Sequence, residues 1–127
     1  VDLHHIDVAD GHFAPSFLFF PDLVARIAKL TAKPIHVHLM VDGAIVEEQT
    51  RQFIEAGADM ISVHAENGEA GLRAVRLAHD LGAEAGVVLR LETPVSAIVP
   101  FLPDVAFVTL LGTSIGVKGQ SLSEKAC

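Results

Sequence analysis

Two spacings of apolar residues alternate along the chain. One is the period of two that sends successive strand side chains to opposite faces; the other is recurrence at three and four positions, which lines one side of a helix. The first is clear in residues 3–13, LHHIDVADGHF, where Ile6 and Val8 alternate with His5 and Asp7. It returns in residues 35–41, IHVHLMV, where His36 and His38 share a face. Between these runs Pro21 opens a helical spacing of Leu23, Val24, Ile27 and Leu30, and Lys33-Pro34 ends the connection. A second helix is predicted from Asp42-Gly43 to Gly57 through Ile45, Val46, Phe53 and Ile54, and a strand follows over residues 60–64. A third helix opens at Asn67-Gly68, carries Leu72, Val75, Leu77 and Leu81, and stops at Gly82 before a strand over residues 85–89. Thr93-Pro94 starts a short helix that Pro100 and Pro103 are expected to break, and residues 105–111 form the last strand. Phe17, Leu18, Phe19 and Phe20 fit neither spacing and read as a hydrophobic plug under a loop or a contact between subunits.

Five strands alternating with helices imply a parallel α/β sheet, since each connection is long enough for the crossover that parallel pairing requires. An open doubly wound sheet and a closed (β/α)8 barrel both satisfy this order. Periodicity does not choose between them.

Composition narrows the function. At 127 residues and 50% hydrophobic, the chain can bury one core, and one domain is expected. No uninterrupted apolar run approaches the roughly 20 residues of a membrane span, and no cleavable leader precedes the first strand, so a cytoplasmic protein with no membrane partner is expected. Cys127 is the single cysteine, which rules out an internal disulfide within the chain. A net charge of -7 without clusters of Lys and Arg, and the absence of Trp and Tyr, argue against a nucleic-acid partner. An acidic protein that handles a phosphorylated metabolite must bind the anion locally, through backbone amides or one or two placed cations.

Candidate chemistry begins at His5 and Asp7, which project from the same face of one strand. If that strand and residues 35–41 are parallel neighbours with aligned ends, His38 converges on the same point. Two imidazoles and a carboxylate are good ligands for a divalent transition metal. A single strand histidine is more commonly a hydrogen-bonded core or surface residue, so the wider string decides. HIDVADGHF, then VHLMV, AGADMISVHAE and GAEAGVVLRLETP, resembles the ribulose-phosphate 3-epimerase family in order and spacing, from Leu3 to about Gln120.

The resemblance implies a (β/α)8 TIM barrel of which the chain, residues 1–127, covers about five consecutive βα units as a single partial domain, from the second strand to the sixth. It implies one divalent transition metal (zinc, iron(II), manganese or cobalt) bound by His5, Asp7 and His38. Asp7 is then both ligand and proton-transfer residue. The second acid/base aspartate would lie beyond Cys127. Met40 matches a methionine packed against the reacting part of the substrate, and His64 matches a histidine near the site. Asp10 and His12 match a loop-shaping motif, and His36 is expected to make hydrogen bonds inside the barrel. No role is assigned to His4 or His79.

The sixth loop of the family reads close to NPGFGGQ and covers the substrate phosphate; here it reads SIGVKGQ. Gly116, Gly119 and Gln120 are kept, Ile115 replaces proline, Lys118 replaces a glycine, and Leu111 stands where a methionine is usual. Arg90-Leu91 replaces Asn-Pro, and Ala9 replaces another frequent methionine. Two added cations near the mouth point to a changed substrate or, equally, to a plain surface role for each. The expected protein is a metal-dependent 3-epimerase of a phosphorylated ketose that assembles as a homo-oligomer. A non-catalytic sugar-phosphate-binding relative and another phosphosugar lyase or decarboxylase on the same barrel are the alternatives.

Overall fold

The computed structural model describes residues 2–15 and 17–111. Five strands lie parallel: β1 (His4–Asp10), β3 (Ile35–Met40), β4 (Met60–His64), β5 (Glu84–Leu89) and β6 (Phe107–Leu110). A two-residue strand, β2 (Phe17–Leu18), pairs antiparallel with the outer edge of β1. The order across the sheet is β2-β1-β3-β4-β5-β6. Helices α1 (Pro21–Leu30), α2 (Val46–Ala56) and α3 (Gly68–Asp80) connect the first four parallel strands, and a 3-10 helix over Val95–Asp104 leads into β6.

This order settles the architecture that periodicity left open. Each crossover moves one strand in the same direction, and right-handed crossovers that never reverse must all lie on one face of the sheet. A doubly wound sheet reverses at a switch point and covers both faces. One core cluster accordingly joins Ile6, Val8, Val37, Leu39, Ile61, Val63 and Val87 of the strands to Val24 of α1, Phe53 of α2 and Val75 of α3. Neighbouring helices touch in sequence, α1 against α2 and α2 against α3.

Several elements differ from the sequence expectation. Phe17 and Leu18 are strand rather than plug: Leu18 packs toward Ala9, Ala14 and Met40, while Phe17 is 84% exposed. α2 begins at Val46 instead of at Asp42, because the Asp42 side chain accepts the Ala44 amide and its carbonyl accepts those of Ile45 and Val46, forming a turn first. Pro100 and Pro103 do not end the turn that starts after Pro94; its tighter 3-10 form runs through both and buries Phe101. β6 is shorter at both ends than residues 105–111, since its ladder with β5 runs only from Gly86 opposite Phe107 to Leu89 opposite Leu110. Gly57 does close α2, at φ 121, as a left-handed residue there must.

The face away from the helices is polar. Strand register lays one row straight across it: Asp7 opposite His38, His38 opposite Ser62, Ser62 opposite Gly86, and Gly86 opposite Phe107. The missing side chain of Gly86 makes room for the Phe107 ring, which lies edge-on to His36 with centroids 5.3 Å apart. A Cβ at Gly86 would come within 2.2 Å of that ring. Gly86→Ala is therefore expected to lower unfolding free energy by about 1–3 kcal/mol, as overpacking does, measured by denaturant titration. Unchanged stability would mean that the ring does not sit over Gly86.

Candidate active site

Strand pairing builds the site. Because β1 and β3 are parallel and in register, with His5 beside His36 and Asp7 beside His38, the alternation within each strand becomes a two-by-two array of polar side chains. Asp7 Oδ1 lies 2.8 Å from His5 Nε2 and 3.1 Å from His38 Nδ1. The donor atoms of His5, Asp7 and His38 all fall within 4.8 Å of one another, and two imidazoles with a carboxylate suit a divalent transition metal. These three residues could hold such an ion. His5 and Asp7 are about half exposed on the open inner face, whereas His38 is buried.

Each of the two histidines is backed by a second one. His5 Nδ1 lies 3.1 Å from His36 Nδ1, and His36 Nε2 lies 2.6 Å from Ser62 Oγ. Burial, and then the neighbouring His5 and His38, lower the His36 pKa to about 4, so this ring is neutral and can accept a hydrogen bond from His5. On the other side His38 Nε2 lies 2.9 Å from His64 Nε2, and the rings stack with centroids 4.9 Å apart. His64 Nδ1 is 2.9 Å from Glu66 Oε1.

The electrostatics follow from these contacts. Hydrogen bonds from His38 and then His5 hold the Asp7 carboxyl far below the usual carboxylate range, and Asp7 in turn raises the His5 pKa. Burial lowers the His64 pKa against the opposing pull of Glu66. For Glu66, burial works against ionisation, yet hydrogen bonds from His64, Thr93 and the Arg90 amide win and hold it at about 2.

The mouth of the site is formed by loops at the carboxyl ends of the strands. Asp10 Oδ1 accepts the amides of His12 and Phe13, and its Oδ2 accepts that of Asp42, so one carboxylate fixes the loop after β1 and joins it to the end of β3. His12 Nδ1 pairs with Asp42 at 2.9 Å. Met40 is buried with Ala9 and Ala14, against Phe13 and Leu18, as an apolar wall. Arg90, expected as a cation near the mouth, is turned to the loop after β1. Its Nη2 donates to the Phe13 carbonyl at 3.1 Å, and its guanidinium lies 3.9 Å from the Phe13 ring centroid.

His64, expected near the substrate, is wholly buried beneath Phe13, with ring centroids 5.0 Å apart, and its polar contacts are His38 and Glu66. Glu66 escaped the sequence reading although it stands in the quoted SVHAE run. It lies past the strand end, in the 3-10 turn Ala65–Asn67, where alternation no longer points to a face. The spacing of two from His64 was the available signal. His4 bonds Thr31 at 3.1 Å, and His79 is exposed on α3. Gly116, Lys118, Gly119 and Gln120 lie outside the described residues. Among the described residues no helix is long and apolar enough to cross a membrane.

A one-faced α/β sheet with an in-register cluster of donors that could hold a metal on its polar side defines the class: a stretch of parallel barrel with a polar centre. The model of the "Ribulose-phosphate 3 epimerase family" matches residues 1–127, and the chain belongs to that family. The family is built on the (β/α)8 barrel, and the five parallel strands here are consistent with part of one. The chain is 38% identical over 125 residues to the ribulose-phosphate 3-epimerase of Aquifex aeolicus, covering 98% of this chain and 55% of that protein. It is 39% identical over 119 residues to that of Bacillus subtilis, covering 94% and 54%. It is 40% identical over 125 residues to the chloroplastic ribulose-5-phosphate-3-epimerase of Arabidopsis thaliana, covering 97% and 44%. The chain thus spans about half the length of the relatives it matches.

Glu66 carries a pH dependence. Its folded-state pKa of about 2 lies below the ordinary 4.5, so its contribution to stability is full above about pH 4.5 and is lost as pH falls toward 2. Glu66→Gln is expected to flatten the decline of stability across that window, read from denaturation midpoints at successive pH values. An unaltered slope would show that the carboxylate is not held by these bonds.

Proposed function

We propose that the complete protein is a metal-dependent 3-epimerase of a phosphorylated ketose. The observation that carries this reading is the convergence of His5, Asp7 and His38 on the polar inner face, in a chain of this family. Inverting carbon 3 means removing a weakly acidic proton beside a ketone and returning one to the opposite face. A divalent cation held by His5, Asp7 and His38, whether zinc, iron(II), manganese or cobalt, would stabilise the enediolate charge that develops on the substrate oxygens.

Several of the remaining roles fall to residues of this chain. Asp7 is ionised and about half exposed on the open inner face, where it could accept a proton on one face of the substrate and give it back. The carboxylate for the other face would lie beyond Cys127, as the family resemblance implies. The buried wall of Met40, Ala9 and Ala14 keeps water from one side of the pocket, and Ala9, smaller than the methionine frequent there, enlarges it. Gly116, Gly119 and Gln120 would let the sixth loop approach the phosphate closely, and Lys118 would add a charge-assisted hydrogen bond of about 1.5–3 kcal/mol. The reaction needs no nucleic-acid or membrane partner, and the complete protein is proposed to work as a cytoplasmic homo-oligomer.

The complete protein is expected to hold one divalent transition metal per subunit, and His38→Ala to lose it, by elemental analysis. Asp7→Asn should slow exchange of the carbon 3 proton with solvent by at least about 10²–10⁴, the usual loss for an acid/base carboxylate, measured by deuterium uptake. Full exchange in that variant would sink the mechanism. Lys118→Ala is expected to raise the Michaelis constant for phosphorylated ketoses. If free sugars turned over as well as their phosphates and the lysine variant changed nothing, the sixth loop would not be the phosphate site.

A further inference from the structure

Behind His38, on the side away from Asp7, runs a row of polar groups that the proposed reaction does not use. His38 Nε2 faces His64 Nε2 at 2.9 Å, His64 Nδ1 faces Glu66 Oε1 at 2.9 Å, and Glu66 Oε2 accepts the Arg90 amide at 3.1 Å. His64 is wholly buried, so its ring nitrogens must find their partners within this row.

The row has a direction. A backbone N–H can only donate and an ionised carboxylate can only accept, so Glu66 oriented by Arg90 requires a proton on His64 Nδ1. A neutral imidazole carrying its proton there has its lone pair on Nε2, and that lone pair needs a donor. The only group facing it in the row is His38 Nε2, which must then carry the proton. The lone pair of a neutral His38 is left on Nδ1, the atom 3.1 Å from Asp7 Oδ1. With a cation held between the two groups this lone pair is directed at it, in place of the hydrogen bond that otherwise joins His38 to Asp7.

We propose that Glu66 is a positioning residue for the metal centre: acting through His64, it fixes His38 in the tautomer whose Nδ1 lone pair is directed toward Asp7. This rests on the metal-dependent reading above. The geometry resembles the general arrangement in which a carboxylate behind a ligating histidine sets its tautomer, with a second imidazole inserted between. Glu66→Gln conserves shape but not direction. The Arg90 amide still demands an acceptor, so the glutamine oxygen turns toward it and the NH2 group faces His64 Nδ1. That donor reverses every proton in the row and places one on His38 Nδ1.

The test uses the complete protein and zinc. In the zinc-loaded wild type, nitrogen-15 NMR of the histidine side chains should find the His64 proton on Nδ1. Glu66→Gln should weaken zinc binding about 10–100-fold in chelator competition, with its circular dichroism spectrum unchanged. A His64 proton on Nε2, or a folded Glu66→Gln variant that binds zinc as tightly as the wild type, would overturn the proposal. If the variant does not fold, the wild-type NMR measurement decides alone. A wild type that binds no divalent transition metal would instead remove the metal centre itself, and the role of Glu66 with it.

Discussion

Register between parallel strands is the constraint from which the rest of this structure follows. With Val37, Leu39, Ile61, Val63 and Val87 packed against the helices, the residues between them have no choice but to face the other way. A slip of one position between β1 and β3 would turn Asp7 and His5 into the hydrophobic layer and bring Ile6 and Val8 to the polar face. The several kilocalories per mole that such charged burial costs hold the site in place. The apolar core thus aligns the chemistry without touching it.

The polar face has its own organisation. Asp7 sits between two pairs of imidazoles, His5 with His36 and His38 with His64, and the pairs end differently, on the Ser62 hydroxyl and on the Glu66 carboxylate. A hydroxyl accepts or donates, so the His5 branch can adjust. A carboxylate bound to a backbone amide cannot, so the His38 branch is fixed in direction. One centre therefore combines an adaptable ligand with a committed one.

Much of the fold was legible because strand and helix spacings are unambiguous in the β-branched runs around Ile6, Val37 and Ile61. The limits of elements were less so. Asp42 looks like a helix start until its side chain is seen holding a turn, and two prolines do not stop a 3-10 helix as they would stop an α-helix. The shared face of His5 and Asp7 could be read from spacing alone, and the place of His38 followed once parallel pairing was assumed. Glu66 and Arg90 could not be read that way. One lies in an irregular turn, and the other meets Phe13 across 77 positions of sequence, a distance over which no local periodicity carries information.

That last contact also bears on how the site comes into being. The guanidinium of Arg90 ties the end of β5 to the loop after β1, while the backbone between them folds through three helices. The first strands and helices can dock through nearby contacts, but closing a loop of this length carries an entropic cost that later packing must offset. Phe13, and the cover it gives His64, would therefore settle late in assembly, after the sheet has extended to β5, its fourth parallel strand.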